Sequence, residues 1–101
     1  MLMRVFEARP KPGCAEALAE KLTSTSIDVV RGQPGNLGHL HGRKADGETF
    51  VFISCWTDLS AVKARFGDDW ASSYLPPGYA ELIEACSVEH LDVDGELAMP
   101  A

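Results

Sequence analysis

At 101 residues the chain is long enough for one domain and too short for two. Its formal net charge of -6, with Arg43-Lys44 as the one adjacent basic pair, excludes a phosphate-backbone binder, which needs clustered Lys and Arg. No apolar run reaches the ~20 residues of a membrane helix, and charges near the first residues argue against a signal peptide.

The predicted elements follow in chain order. Leu2 to Ala8 alternates and is rich in β formers, so it reads as strand one. Pro10-Lys-Pro-Gly13 breaks it and launches a helix in which Ala15, Leu18, Leu22 and Val29 recur at helical spacing. The run Thr23-Ser-Thr-Ser26 has weak propensity and is expected to loosen that helix. Gly32 and Gln33-Pro-Gly35 stop it. Asn36 to Arg43 is strand two, and Ala45-Asp-Gly-Glu48 is a hairpin turn, because Asp-Gly supplies the positive φ such turns require.

Strand three, Thr49 to Trp56, is apolar on both faces: Val51, Ile53 and Cys55 point one way, Phe50, Phe52, Ser54 and Trp56 the other. One helical layer covers one face only, so a symmetric second copy is the expected cover for the other. Thr57 or Asp58 caps helix two, with Leu59, Val62 and Phe66 on one face and Gly67 at its end. Asp68 to Leu75 reads as a further capped helical turn cut off by Pro76-Pro-Gly78. Tyr79 to Ala85 reads as a short helix, and Ser87 to Val93 as strand four. The expected domain is residues 1–93, followed by a patternless tail, 94–101.

The order strand, helix, strand, strand, helix, strand is the split βαβ arrangement. The expected fold class is α+β, a ferredoxin-like βαββαβ unit with a four-stranded antiparallel sheet in the order 4-1-3-2. The three cysteines, Cys14, Cys55 and Cys86, lack metal or redox spacing and read as small buried residues in a reducing cytoplasm.

Lys11-Pro-Gly13, Gln33-Pro-Gly35, Trp56-Thr-Asp-Leu-Ser-Ala-Val62 and the closing strand Val88 to Val93 resemble the antibiotic biosynthesis monooxygenase domain family of dimeric α+β barrels. The resemblance implies a homodimer and, in each protomer, a pocket between sheet and helices. It also implies one of several activities: cofactor-independent oxidation of quinols or polyketide anthrones, haem degradation, or none. In haem-degrading relatives an asparagine, a tryptophan and a histidine iron ligand fall at positions corresponding to Phe6, Arg65 and a residue near Leu75. No histidine lies between His41 and His90, so a haem iron lacks its anchor and no cofactor is expected.

The remaining implied activity needs aromatic walls, hydrogen-bonding groups and a base. Trp70, Tyr74 and Tyr79 lie where the family places its pocket lid, and Arg65 is the one arginine of helix two. These four are the candidate substrate-binding residues, against a bland reading of Arg65 as a solvated helix-end cation. His39 and His41 share a strand face, and His90 stands on the opposite edge strand. A metal site needs a third ligand that one protomer cannot bring, so no metal is expected. All three histidines are candidate bases because imidazole titrates near neutral pH. Gly38 and Gly42 leave open space on the other face of strand two. Two functions follow: a cofactor-independent monooxygenase acting on an aromatic, quinol-like or polyketide-derived substrate, or a non-catalytic binder of a small aromatic ligand.

Overall fold

The structure is a computed structural model that describes residues 1–95. β1 spans Leu2–Pro10, α1 Ala15–Leu22, α2 Thr25–Val30, β2 Asn36–Arg43, β3 Phe50–Trp56, α3 Leu59–Phe66 and β4 Ile83–Asp92. The strands form one antiparallel sheet in the order β2-β3-β1-β4. The order matches the expected 4-1-3-2, and the fold is α+β and ferredoxin-like. No helix among the described residues is long and apolar enough to cross a membrane.

Period-two alternation sorts the sheet into two unlike faces. On one, Leu2, Arg4, Phe6 and Ala8 of β1 stand opposite Trp56, Ser54, Phe52 and Phe50 of β3. Leu18, Leu22, Val30 and Val62 of the helices join Leu2, Ala8, Phe50, Phe52 and Trp56 in the buried core. Trp56 has no exposed surface, and its indole N–H donates to Ser54 Oγ at 2.9 Å. On the other face, Ile53 lies between Val5 and Leu40, and Met3 lies between Cys55 and Leu91. Leu40 and Leu91 are each 56% exposed, and among the described residues no helix packs there.

Local chemistry places the elements as read. The helix after β1 breaks at Thr23-Ser24, where the hydroxyls accept no helical role and instead donate to the carbonyls of Ala19 and Glu20. Asp58 is the cap of α3, accepting from the Ala61 N–H at 3.0 Å. Gly35 is fixed by contact as well as by its φ of 81°: a Cβ there would stand 2.5 Å from the Ala61 Cβ. In the hairpin turn the Asp46 carboxylate accepts from the N–H groups of Glu48 and Thr49, which holds it below the usual carboxylate range.

Three readings are corrected. The helix expected from Tyr79 to Ala85 is a three-residue 3-10 turn, Ala80–Leu82, and β4 begins at Ile83. β1 runs on to Pro10 and offers ladder partners to Ala85 and Ile83, which outcompete so short a helix. The helical turn expected over Asp68 to Leu75 shrinks to a 3-10 turn, Gly67–Asp69; the carbonyls of Trp70 and Ser72 accept from Arg4 instead. Cys86, read as buried, is exposed; all three cysteines are free. Of the patternless tail, residues 96–101 lie outside the described residues.

Candidate ligand cavity

A cavity of about 50 Å³, open at its mouth, lies between the helical layer and the β1/β3 pair. Arg4, Phe6, Phe52 and Ser54 form its floor; Ser26, Val29 and Val30 of α2 and Phe66 of α3 form its sides. Tyr74, Pro76 and Tyr79 close it from the loop ahead of β4. The walls are mostly apolar and aromatic, with a few polar groups, the usual make-up of a small-molecule site. Among the described residues, no Asp, Glu or His lines the cavity.

Arg4 is the residue that sequence reasoning missed. It is 5% exposed. One guanidinium nitrogen, Nη1, donates to the Trp70 carbonyl and approaches His90 Nε2 at 3.1 Å; Nη2 donates to the Ser72 carbonyl at 3.0 Å. The Phe66 ring lies against the guanidinium, 3.9 Å from Cζ. Burial pushes its pKa down to about 10, so it stays charged at neutral pH. Among the described residues it has no carboxylate partner: the ion pairs are Arg9 with Glu48 and Lys44 with Glu7, both elsewhere. A signal was present in the sequence. Leu2, Phe6 and Ala8 fall on one face at even-numbered spacing, and Arg4 fills the gap in their row.

Tyr79 is 1% exposed. Its hydroxyl donates to the Lys21 carbonyl at 3.0 Å, so the contact with Ser26 Oγ at 2.7 Å is one in which Ser26 donates. Burial raises its pKa; with its single hydrogen committed, Tyr79 is a wall and a tether between the last loop and α1. Tyr74 packs edge-on against Phe66, 6.0 Å between centroids. It is 47% exposed and forms the mouth.

Arg65 lies outside the lining. Its Nε donates to the Val29 carbonyl at 2.7 Å, tying α3 to the end of α2, and its guanidinium sits 5.6 Å from the Tyr74 ring centre. Trp70 packs edge-on to His90, 5.1 Å between centroids, and offers Arg4 its carbonyl rather than its ring. His90 is held below its ordinary pKa, first by burial and then by the Arg4 charge. Because a guanidinium only donates, the His90 nitrogen facing it, Nε2, is the acceptor, which puts the ring proton on Nδ1. His39 and His41 stack on Phe52 at 5.8 and 6.2 Å between centroids, on the edge strand and outside the lining. The structure therefore brings Tyr74 and Tyr79 together at the cavity, leaves Arg65, Trp70 and His90 one contact away, and keeps His39 and His41 apart from His90. Gly38 and Gly42 have open space beside them, on the face that carries no helix.

Residues 1–69 match the family described as antibiotic biosynthesis monooxygenase. The chain belongs to that family. Solved structures share its fold at low identity. Rv0793 from Mycobacterium tuberculosis superposes with a TM-score of 0.75 at 19% identity, covering 96% of this chain and 98% of that one. SnoaB, a cofactor-independent oxygenase from Streptomyces nogalater, gives 0.69 at 20% identity, with 97% of each chain covered. A variant of MhuD with two manganese protoporphyrin IX molecules bound per active site gives 0.74 at 17% identity, covering 98% of this chain and all, 100%, of that one. No curated protein matches the chain.

The porphyrin-bearing member of this set sets a test for the family cavity seen here. Among the described residues, the lining of this chain's cavity holds no histidine, cysteine or methionine, and the Tyr79 oxygen is committed to Lys21 and Ser26. Phe6 is in the floor, Leu75 is not a lining residue, and Arg65 ties down α2. These residues do not fit haem, which takes an axial side-chain ligand on its iron.

Proposed function

We propose that the protein is a homodimeric, cofactor-independent oxygenase acting on a flat aromatic compound, quinol-like or polyketide-derived. The observation that carries this reading is the aromatic cavity with one buried cation, Arg4, and, among the described residues, no carboxylate in its wall. A reduced ring that has lost its acidic proton can itself supply electrons to O₂, and a fixed positive charge stabilises the anion from which that transfer starts. In an anthrone, the ring methylene becomes a carbonyl and the second oxygen atom leaves as water. The cavity as it stands has room for a few waters; a ring enters as Tyr74 swings outward from the mouth. The proposed chemistry draws on Arg4 rather than on His39, His41 or His90, none of which lines the cavity. Dimerisation is proposed through the apolar row Leu40, Ile53 and Val5. A reducing cytoplasm accords with three free cysteines.

The test is O₂ uptake with a panel of anthrones and dihydroquinones, using protein free of metal and flavin. Uptake above the rate without protein, lost in Arg4→Met, supports the reading. No uptake across the panel sinks it and leaves the second one, a non-catalytic binder of small aromatic ligands. That alternative is favoured by one observation: among the described residues no histidine lines the cavity to act as a base.

A further inference from the structure

We infer that the cavity is an anion site, in which Arg4 and Ser54 receive an ionised oxygen borne on the ring of the ligand. The inference rests on the aromatic-ligand reading of the cavity and names the charge state that ligand carries.

A guanidinium has five N–H groups. Arg4 directs two from Nη1, to the Trp70 carbonyl and His90 Nε2, and one from Nη2, to the Ser72 carbonyl. The Nε–H and the second Nη2 hydrogen have no partner among the described residues. Ser54 is the direct cross-strand neighbour of Arg4, is 2% exposed and lines the same cavity. Its oxygen accepts from the Trp56 indole, which leaves its own hydrogen to donate. Two neighbouring residues thus bring unused donors to one pocket.

The pocket's charge is of one sign. A buried cation without a counter-ion destabilises the protein that holds it, and carbonyl dipoles offset only part of that. Tyr79 is occupied with Lys21 and Ser26, so it competes for neither donor. An anionic oxygen supplies the missing charge, while Phe6, Phe52 and Phe66 hold the ring. No side-chain base is then required. The O–H bond of a phenol or enol breaks with its proton passing to solvent through the open mouth, and Arg4 lowers the pH at which this occurs.

The experiment titrates the protein with 4-nitrophenol across pH, read by phenolate absorbance, with benzoate and nitrobenzene as competitors. The phenolate is expected to bind, and the bound dye to ionise at lower pH than free dye. Arg4→Met should weaken phenolate binding by about 10- to 100-fold, the range for hydrogen bonds to charged groups, and abolish the pH displacement. Ser54→Ala should weaken it less and keep the displacement. Competition by benzoate shows that carboxylates share the site; its failure confines the site to phenolates and enolates, and either result accords with the inference. Displacement of the phenolate by neutral nitrobenzene at comparable concentration overturns it. So does ionisation moved upward, unchanged affinity in a folded Arg4→Met variant, or no binding of dye and benzoate at millimolar concentration. Should Arg4→Met fail to fold, the wild-type displacement and Ser54→Ala decide. The measurement needs no O₂, so absent turnover leaves it standing, whereas absent anion binding removes the role given to Arg4 even where O₂ uptake is seen.

Discussion

The same strands present two faces with opposite fates. On the helix-covered face, alternate residues of β1 and β3 make a core around Trp56 and a cavity around Arg4. On the other, Val5, Ile53 and Leu40 form an apolar row that no element among the described residues covers. One face is packed by the protomer's own helices and holds the cavity; the other is apolar and, among the described residues, uncovered, which is the condition for self-association. Residue parity along a strand decides which task a side chain has, so neighbours in sequence such as Phe52 and Ile53 answer to different tests.

The largest expected effect is on the first face. Trp56→Ala removes a side chain with no exposed surface, together with its hydrogen bond to Ser54. It should lower unfolding free energy in urea by about 3–5 kcal/mol, a large part of the stability of so small a domain. A loss under 1 kcal/mol would mean that the core is centred elsewhere.

Ile53→Asp probes the other face. If two copies meet there, the charge is buried without a partner, and sedimentation should show a monomer where wild type is a dimer. If the face is solvent-facing, the substitution should change neither mass nor stability beyond about 0.5 kcal/mol. Phe52 is unsuited to this test, because it belongs to the cavity floor.

Arg4→Met sharpens the contrast between a side chain kept for stability and one kept for binding. Apolar replacement of a buried charge is often neutral or stabilising, so the ligand-free variant should unfold within about 1 kcal/mol of wild type or above it. A loss of 3 kcal/mol or more would make Arg4 a structural tie between β1 and the Trp70–Ser72 loop. Asp58→Ala, which removes the cap of α3, should have an effect of about 1 kcal/mol.

The smallest effect is a pH dependence. His90 is held below its ordinary value of 6.5, so the unfolded chain takes up its proton first as pH falls. Its contribution is present above about pH 6.5 and is lost as pH drops through the lowered value. His90→Gln, which keeps an acceptor for Arg4, should show a smaller fall in thermal midpoint on acidification than wild type. Equal falls would place the acid sensitivity in the carboxylates.

The fold was legible where a local rule has one solution. The alternation of β3, a cap at Thr57 or Asp58, the weak Thr23–Ser26 stretch and the helix stop at Gln33-Pro-Gly35 all read directly from short windows, whereas the approach of Gly35 to Ala61 needed the fold. The site was less so. Arg4 takes its partners from Trp70 and Ser72, 66 and 68 residues away in sequence, and among Glu7 and Arg9 it looks like one more solvated charge. His39 and His41 were placed on the right face by parity, but that face is wider than the cavity, and Phe52 stands between them and it. Tyr74 and Tyr79 were found because they follow helix two, where the resembled family places its pocket lid, and the same reasoning admitted Trp70, which does not line the cavity.

The most direct test of the two-face account follows methyl signals in ¹³C-labelled protein while a dihydroquinone is added without O₂. Val29 and Val30 report on the cavity; Val51, Ile53 and Leu40 report on the uncovered face. The account predicts saturable shifts of Val29 and Val30, with the other three unmoved. Shifts confined to Val51, Ile53 and Leu40 would contradict it, by placing the ligand on the face assigned to a second copy of the chain.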